Sequence, residues 1–487
     1  MPTDEIVYAT DLPGATLSGR VRRGELRRLA RGVYTTDIRT PVDRVVRRHW
    51  RDIVGRLYPN AVITDRSART GGPVGGRLYL AHPGRSRETT LPGLIVSART
   101  GAGPLDGDIA LPGGLHLAAT ARALAENARA SRSRAGNVRR TFDATELGAW
   151  IDGLCRTEGE HRLAALRETA ERIAEQVGTK PVELTSLSLL VGAALGSRRT
   201  VVTSRALAAR QAGRPYDPER VARFDTVVAA LRSAAPQHRP VDANDPDRYR
   251  LVPFYEAYFS NFIEGTEFVL REAEAIVFEG LEPDNRPEDS HDLIGTYKVV
   301  SDETEMSRVI DTADEFLDAL RDRHATIMGG RPYLDPGAFK TIANQAGNTQ
   351  FVAPDLTRGT LVEGFGRLAD LDTAWERAVF AMFLVAEVHP FNDGNGRIAR
   401  VMMNGELVVG GEARIIIPTV FRDDYLGGLR RLSRQDDPSV LIKVLRFAHD
   451  YTSRIIFDTL ASVEEQLSRT NAFEPPTSDR RLRLPER

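Results

Sequence analysis

The chain has 487 residues, a formal net charge of −1, and 41% apolar and 27% charged residues. That length and ordinary composition indicate a globular protein of two or three domains. The charge balance excludes a uniformly basic nucleic-acid binder, though not a local basic patch, and a lone Cys155 excludes both a disulfide framework and a cysteine-based zinc site.

No apolar run approaches the roughly 20 residues of a membrane span, and the first residues lack the layout of a secretion signal. The expectation is a cytoplasmic protein without a membrane partner. In chain order, residues 1–120 form the first predicted module. It carries short β-prone runs such as AVIT (61–64), RLYL (77–80) and GLIV (93–96), separated by turn clusters such as TGGPVGG (70–76). Between Arg20 and Arg51 stand eleven arginines against three acids, Glu25, Asp37 and Asp43. Within GATLSGRVRRGELRRLARGVYTT (14–36), Leu17, Val21, Leu26 and Leu29 fall at helical spacing, and a β-prone stretch follows Gly32.

Residues 121–238 read as a helical connecting region, with apolar positions three and four apart in GEHRLAALRETAERIAEQV (159–177). RPVDANDPDRYR carries two prolines and three aspartates, and 239–253 reads as a linker. Helical patterns return over 254–265, 311–324, 372–388, 397–409 and 438–467 and define a domain spanning 254–465. Residues 466–487 read as a flexible tail.

The stretch VAEVHPFNDGNGRIAR (385–400) concentrates the chemistry. Pro390 must end the preceding apolar helix, so His389 sits at a helix terminus, where its ring can face a cleft. The glycines after it allow close approach of a ligand, and the next helix offers free N–H groups and its dipole to an anion. Arg397 and Arg400 share one helix face and suit adjacent phosphates. Asp393 supplies the oxygen ligand that a phosphate-bound Mg²⁺ takes from a protein. Together these residues point to chemistry on a nucleoside triphosphate; the other eight histidines read as structural or surface residues.

This stretch matches the motif HPFx[DE]GNGRxxR without a mismatch and is similar to that of the Fic family, a resemblance that extends in helical layout over roughly 255–460. It implies an all-α Fic domain with a small β-hairpin flap. It also implies AMP transfer from ATP to a Ser, Thr or Tyr hydroxyl of a target protein or of the chain itself. In that pattern His389 is the general base and Asp393 holds Mg²⁺. The amides of Gly394, Asn395 and Gly396 cradle the phosphates, and Arg397 and Arg400 bind the outer ones. SNFIEG (260–265) resembles the family's inhibitory helix motif, through Ser260, Glu264 and Gly265, and implies a Glu264–Arg400 ion pair that restrains the enzyme. The same glutamate is also compatible with a hydrolase that removes AMP. In GNTQFVAPDLTRG (347–359), residues Thr349, Gln350, Phe351 and Val352 suit a flap strand that docks the target by strand addition.

GELRRLARGVY (24–34) resembles the start of AbiEi-type antitoxins. That resemblance implies a winged-helix-like α+β module, DNA contact through residues 14–51, and a rival role as a DNA-binding regulator with a nucleotide-sensing Fic domain. A third role for the module is recruitment of the protein target or formation of a homodimer. The expected fold is therefore mainly α, preceded by this α+β module.

Overall fold

Residues 5–131, 138–283 and 286–485 are described by the computed structural model, which divides into two units, Met1–Gly213 and Arg214–Arg487. No helix among the described residues is long and apolar enough to cross a membrane.

The first unit opens with β1 (Ile6–Tyr8), α1 (Gly14–Arg22), β2 (Arg27–Ala30) and β3 (Val33–Thr35), the strands forming an antiparallel sheet in the order β1-β3-β2. The expected basic helix through Leu29 is thus half strand. Gly24 adopts φ 73 and ends the helix, after which Leu26 and Leu29 are buried, Leu29 on the sheet. Next, α2 (Val42–Leu57) buries Val45, Val46, Trp50, Ile53 and Val54 on one face. It covers a six-stranded mixed sheet of order β6-β7-β5-β4-β9-β8. The strands are β4 (Val62–Ile63), β5 (Arg77–His82), β6 (Arg87–Leu91), β7 (Leu94–Thr100), β8 (Ile109–Ala110) and β9 (His116–Leu117), with α3 (Asp65–Thr70) between the first two. Five helices follow, α4 (Thr120–Asn127), α5 (Ala144–Glu158), α6 (Glu160–Val177), α7 (Pro181–Ala194) and α8 (Arg205–Gln211), and share a core with Val62 and Ala68. The connecting region up to Gly213 therefore belongs to this unit, because its apolar faces have that core to cover. Fully buried Arg122 pairs with Asp108 at 2.5 Å and Glu126 at 3.4 Å. Arg99 joins Glu126 to Asp65, so the buried carboxylates are compensated.

The second unit is helical apart from one hairpin. Its elements are α9 (Pro218–Ser233), α10 (Val252–Ile263), α11 (Leu270–Glu274), α12 (Pro287–Ser301), α13 (Glu303–Met306), α14 (Ala313–Ile327), β10 (Gln345–Ala346), β11 (Thr349–Gln350), α15 (Pro354–Ala369), α16 (Ala374–Val388), α17 (Asn395–Val409), α18 (Arg422–Gln435), α19 (Ser439–Arg454) and α20 (Leu460–Arg469). At the centre lies α16, where every residue from Ala378 to Val385 is buried, as a helix apolar all round must be. Thr373 and Glu376 cap its start reciprocally. Packed against α16 are α9, α15 and α17.

Three expectations shift here. The stretch 239–253 is no inter-unit linker: Pro240 bridges Glu412, and the Arg239 carbonyl accepts from the Ala413 amide at 2.8 Å, tying it to the end of α17. The pattern 438–467 is two helices, because Ile455 turns extended (ψ 142) and Thr459 caps a new start. The described part of the tail packs back, with Ala472 and Leu482 buried and Phe473 stacked on Phe259 at 5.7 Å; apolar residues there find a surface that composition could not show.

Candidate active site

His389 is the C-terminal cap of α16 and adopts the left-handed φ 53, ψ 59. That conformation turns the chain sharply into Pro390 and is uncommon for a side chain with a Cβ. The ring is held on two sides. Its Nδ1 lies 3.2 Å from the Ala386 carbonyl, and its face stacks on Phe351 at 3.7 Å with the planes 2° apart. A carbonyl at Nδ1 requires the proton there, which leaves Nε2 as the basic nitrogen. Burial pushes the ring down to about 4, the Ala386 carbonyl opposes this, and Lys340 adds to the lowering.

The loop after His389 is braced from beneath. Asn395 is buried, and its side chain both accepts from the Phe391 amide and donates to the Phe391 carbonyl, each at 2.9 Å. Gly394 caps α17 with φ 72, and an added Cβ would collide with Met328. His324 stacks on Phe391 at 3.6 Å. Its Nδ1 accepts from the Gly337 amide, so Nε2 carries the proton donated to the Asp393 carbonyl at 2.9 Å. Burial lowers this ring to about 4 as well, which keeps it neutral. Lys340 donates to the carbonyls of His389 (2.7 Å) and Val388 (3.2 Å), and Asn344 to those of His389 and Phe391. Burial, then the charge of Arg220, pushes Lys340 down to about 7.

Gly396 lies in the first turn of α17, whose amides have no partner within the helix. Above it lies a carboxylate: a Cβ at Gly396 would collide with the side chain of Glu264. Glu264 caps the end of α10 and accepts from Arg400 at 2.7 Å, the ion pair expected from SNFIEG. Ser260, one turn earlier, also holds Arg400: its Oγ accepts from Nε at 2.9 Å, and its carbonyl accepts at 2.8 Å from the same terminal nitrogen that reaches Glu264. Gly265 adopts φ 91 and lets the chain leave the helix directly after Glu264. Arg400 is buried over the ring of Tyr425.

Arg397 is one helical turn away but points elsewhere. It pairs with buried Asp292 at 2.5 Å, which also holds Arg331, and lies 3.4 Å from the Asn261 side-chain oxygen. Of the two arginines expected to bind phosphate, Arg397 is paired within the fold, and Arg400, paired with Glu264, lines the cavity. Asp393 is half exposed, one carboxylate oxygen accepting from the Gly394 amide at 2.7 Å and the other 3.9 Å from Arg397. No cluster of three metal-ligating side chains occurs among the described residues. A single accessible carboxylate fits Mg²⁺ of the kind that draws its other ligands from phosphate oxygens and water.

The flap is smaller than the expected strand. Only Thr349 and Gln350 pair, with Ala346 and Gln345, across a turn at Gly347 (φ 55) and Asn348. Phe351 covers His389. Val352 is buried, since Pro354 starts α15 immediately and anchors this end of the flap in the core. A cavity of about 390 Å³ gathers Glu264, Gly396, Arg400, His389, Phe351, Thr349 and Tyr425.

Glu387 is a further site residue absent from the sequence reading. It is buried in α16, two positions before His389, and accepts from Arg220 and Arg223 of α9 and from the hydroxyl of Ser433. Arg220 also donates to the Gln350 carbonyl, so α9, the flap and the helix that ends at His389 meet at this carboxylate. An acid inside an otherwise apolar helical run was the available signal. Glu387→Ala removes the buried carboxylate that two arginines share and is expected to cost about 3 kcal/mol. Urea unfolding reads this directly; a loss under about 1 kcal/mol would mean that both guanidiniums reach solvent in the variant.

Residues 314–407 match the model of the Fic/DOC family. Protein adenylyltransferase fic-1 of Caenorhabditis briggsae is 30% identical over 117 residues, 23% of this chain and 23% of that protein. Its counterpart in Caenorhabditis elegans is 27% identical over 182 residues, 36% of each. Protein adenylyltransferase Fic of Nematostella vectensis is 26% identical over 269 residues, 53% of this chain and 61% of that protein. The chain thus spans less than two thirds of the length of these relatives. Among solved structures, Fic-1 (aa134–508) from C. elegans aligns with a TM-score of 0.36 at 18% identity, covering 67% of this chain and 94% of that one.

Proposed function

We propose that this chain transfers AMP from ATP to a hydroxyl of a protein, and that Glu264 restrains the reaction. What carries the reading is one cavity that brings together a histidine with a basic Nε2, the open N-terminus of a helix and a buried arginine. The Fic/DOC match covers His389 to Arg400, and the relatives named above are adenylyltransferases.

In this reading the acceptor hydroxyl gives its proton to His389 Nε2 while its oxygen attacks the α-phosphorus. The new P–O bond forms as the bond to the bridging oxygen breaks, and diphosphate leaves. His389 is suited to the step because Ala386 and Phe351 fix its ring and burial keeps it unprotonated at neutral pH. The amides of Asn395 and Gly396 and the Arg400 guanidinium receive phosphate oxygens, and positioning plus charge neutralisation supplies most of the catalysis. Asp393 is the residue that would hold Mg²⁺, whose chemistry there is to neutralise phosphate charge. Glu264 competes for the same ground: its carboxylate covers Gly396 and occupies Arg400, so a triphosphate must displace it.

The test is ATP carrying label on the α- or on the γ-phosphate, offered with Mg²⁺ to the full chain and to Glu264→Gly. Label on protein from the α position alone supports AMP transfer, and label from the γ position would replace it with phosphotransfer.

A second role, duplex DNA binding by residues 14–51, is favoured by one observation. Arg22, Arg28, Arg31, Arg39, Arg44, Arg47 and Arg51 are exposed, and none is ion-paired among the described residues. A duplex DNA shift that weakens steeply with salt and disappears when these arginines become glutamine supports it; no shift at low salt removes it.

A further inference from the structure

The helix α18 carries four arginines, and they fall into two classes. Arg422 pairs with Asp423 at 3.4 Å and Arg431 with Asp437 at 2.7 Å. Arg430 and Arg434 are both exposed, and no carboxylate among the described residues pairs with either. They stand one turn apart on the same face, an arrangement of like charges that disfavours a helix unless something else satisfies it. The neighbouring arginines of α9 do not share this condition, since Arg223 holds Glu387 and Asp436.

Their placement gives the pair a use. Both line the cavity that contains His389 and Arg400. Arg430 donates its Nε to the Leu426 carbonyl at 3.1 Å, and Arg434 its Nε to the flap hydroxyl of Thr349 at 3.0 Å, which steadies each stem. A second cavity, of about 540 Å³, lies along the hairpin and is lined by Arg220, Arg223, Gln350 and Asn348. Arg434, Ser433, Gly347 and Thr349 line both cavities. A chain laid against the hairpin would pass from one cavity to the other directly beneath these guanidiniums. Glu264 already marks the ground for phosphate at Gly396 and buried Arg400, so the exposed pair at the rim is left for a different anion.

We propose that Arg430 and Arg434 dock an acidic side chain of the protein segment whose hydroxyl is modified, which makes them specificity-determining residues for targets with Asp or Glu near the acceptor. The proposal rests on the AMP-transfer reading for the purpose of the docking, but the docking itself is measurable without transfer. Guanidinium–carboxylate pairs at a rim set which partner is accepted more than how tightly it binds.

The experiment uses the full chain and Glu264→Gly. Fluorescent peptides carry one threonine followed by a run of glutamates, or the same peptide with glutamines, and binding is followed by anisotropy. The glutamate peptide is expected to bind about fivefold tighter than the glutamine peptide, with the margin shrinking as salt rises. Arg430→Gln/Arg434→Gln should erase the margin, and Arg430→Lys/Arg434→Lys should restore part of it, with the same thermal midpoint for all proteins. Equal binding of the two peptides, or a margin that survives the double glutamine variant, overturns the proposal. A margin in proteins that transfer no label leaves the docking surface standing and removes the transfer reading; transfer onto the chain itself without a margin does the reverse.

Discussion

Glu264→Gly is expected to raise α-phosphate label on protein by about tenfold or more, equivalent to about 1.4 kcal/mol of relieved competition. The reason is positional. The wild-type carboxylate sits over Gly396 and accepts from Arg400, so under the proposed restraint ATP would bind productively only in the fraction of molecules in which Glu264 has moved away. Apparent affinity scales with that fraction, and deleting the side chain sets it to one. Arg400 then keeps its two bonds to Ser260, so it stays oriented toward the cavity. Glu264→Gln separates charge from bulk: if occupancy of the cradle matters as well as charge, the amide variant falls between the other two. Initial rates at several ATP concentrations decide the point, and a Glu264→Gly rate equal to wild type would sink the restraint.

His389→Ala in the Glu264→Gly background is expected to lower transfer by about 10²–10⁴-fold while leaving ATP binding in place. The pH dependence carries its own sign. The base must be unprotonated, and burial lowers His389 to about 4. The histidine limb of the rate therefore lies near that value, with a rise as pH increases through it and no further histidine-dependent rise across neutrality. Phe351→Ala uncovers one face of the ring, so the limb should move up toward the ordinary value of about 6.5. An unmoved limb in that variant would mean that the stack does not contribute to the burial. Backbone strain offers a control. Because residue 389 has φ 53, His389→Gly should unfold about 1 kcal/mol later than His389→Ala, and an inactivity common to both reports the missing base rather than a distorted loop.

Much of the site was legible because its parts are close in sequence. Pro390 forces the end of α16 and so places His389 at a terminus, Gly394 and Gly396 carry the turn and the open cradle, and Ser260 and Glu264 stand one helical turn apart. Each of these is a local consequence of residue type. Even the Glu264–Arg400 pair, 136 positions apart, was reachable through the resemblance that SNFIEG carries. Tertiary packing decided the rest. Arg397 looks equivalent to Arg400 on a helical wheel, yet Asp292, brought in on α12, binds it into the fold. Val352 belongs by pattern to the flap and by packing to the core. Glu387 reads as an isolated acid in an apolar helix until α9 supplies Arg220 and Arg223. Helix ends and loop conformations follow from sterics and hydrogen bonds within a few residues, so the sequence by itself determined them here. Which of two similar charges meets a partner depends on elements a hundred or more residues away, and only the folded chain decides that.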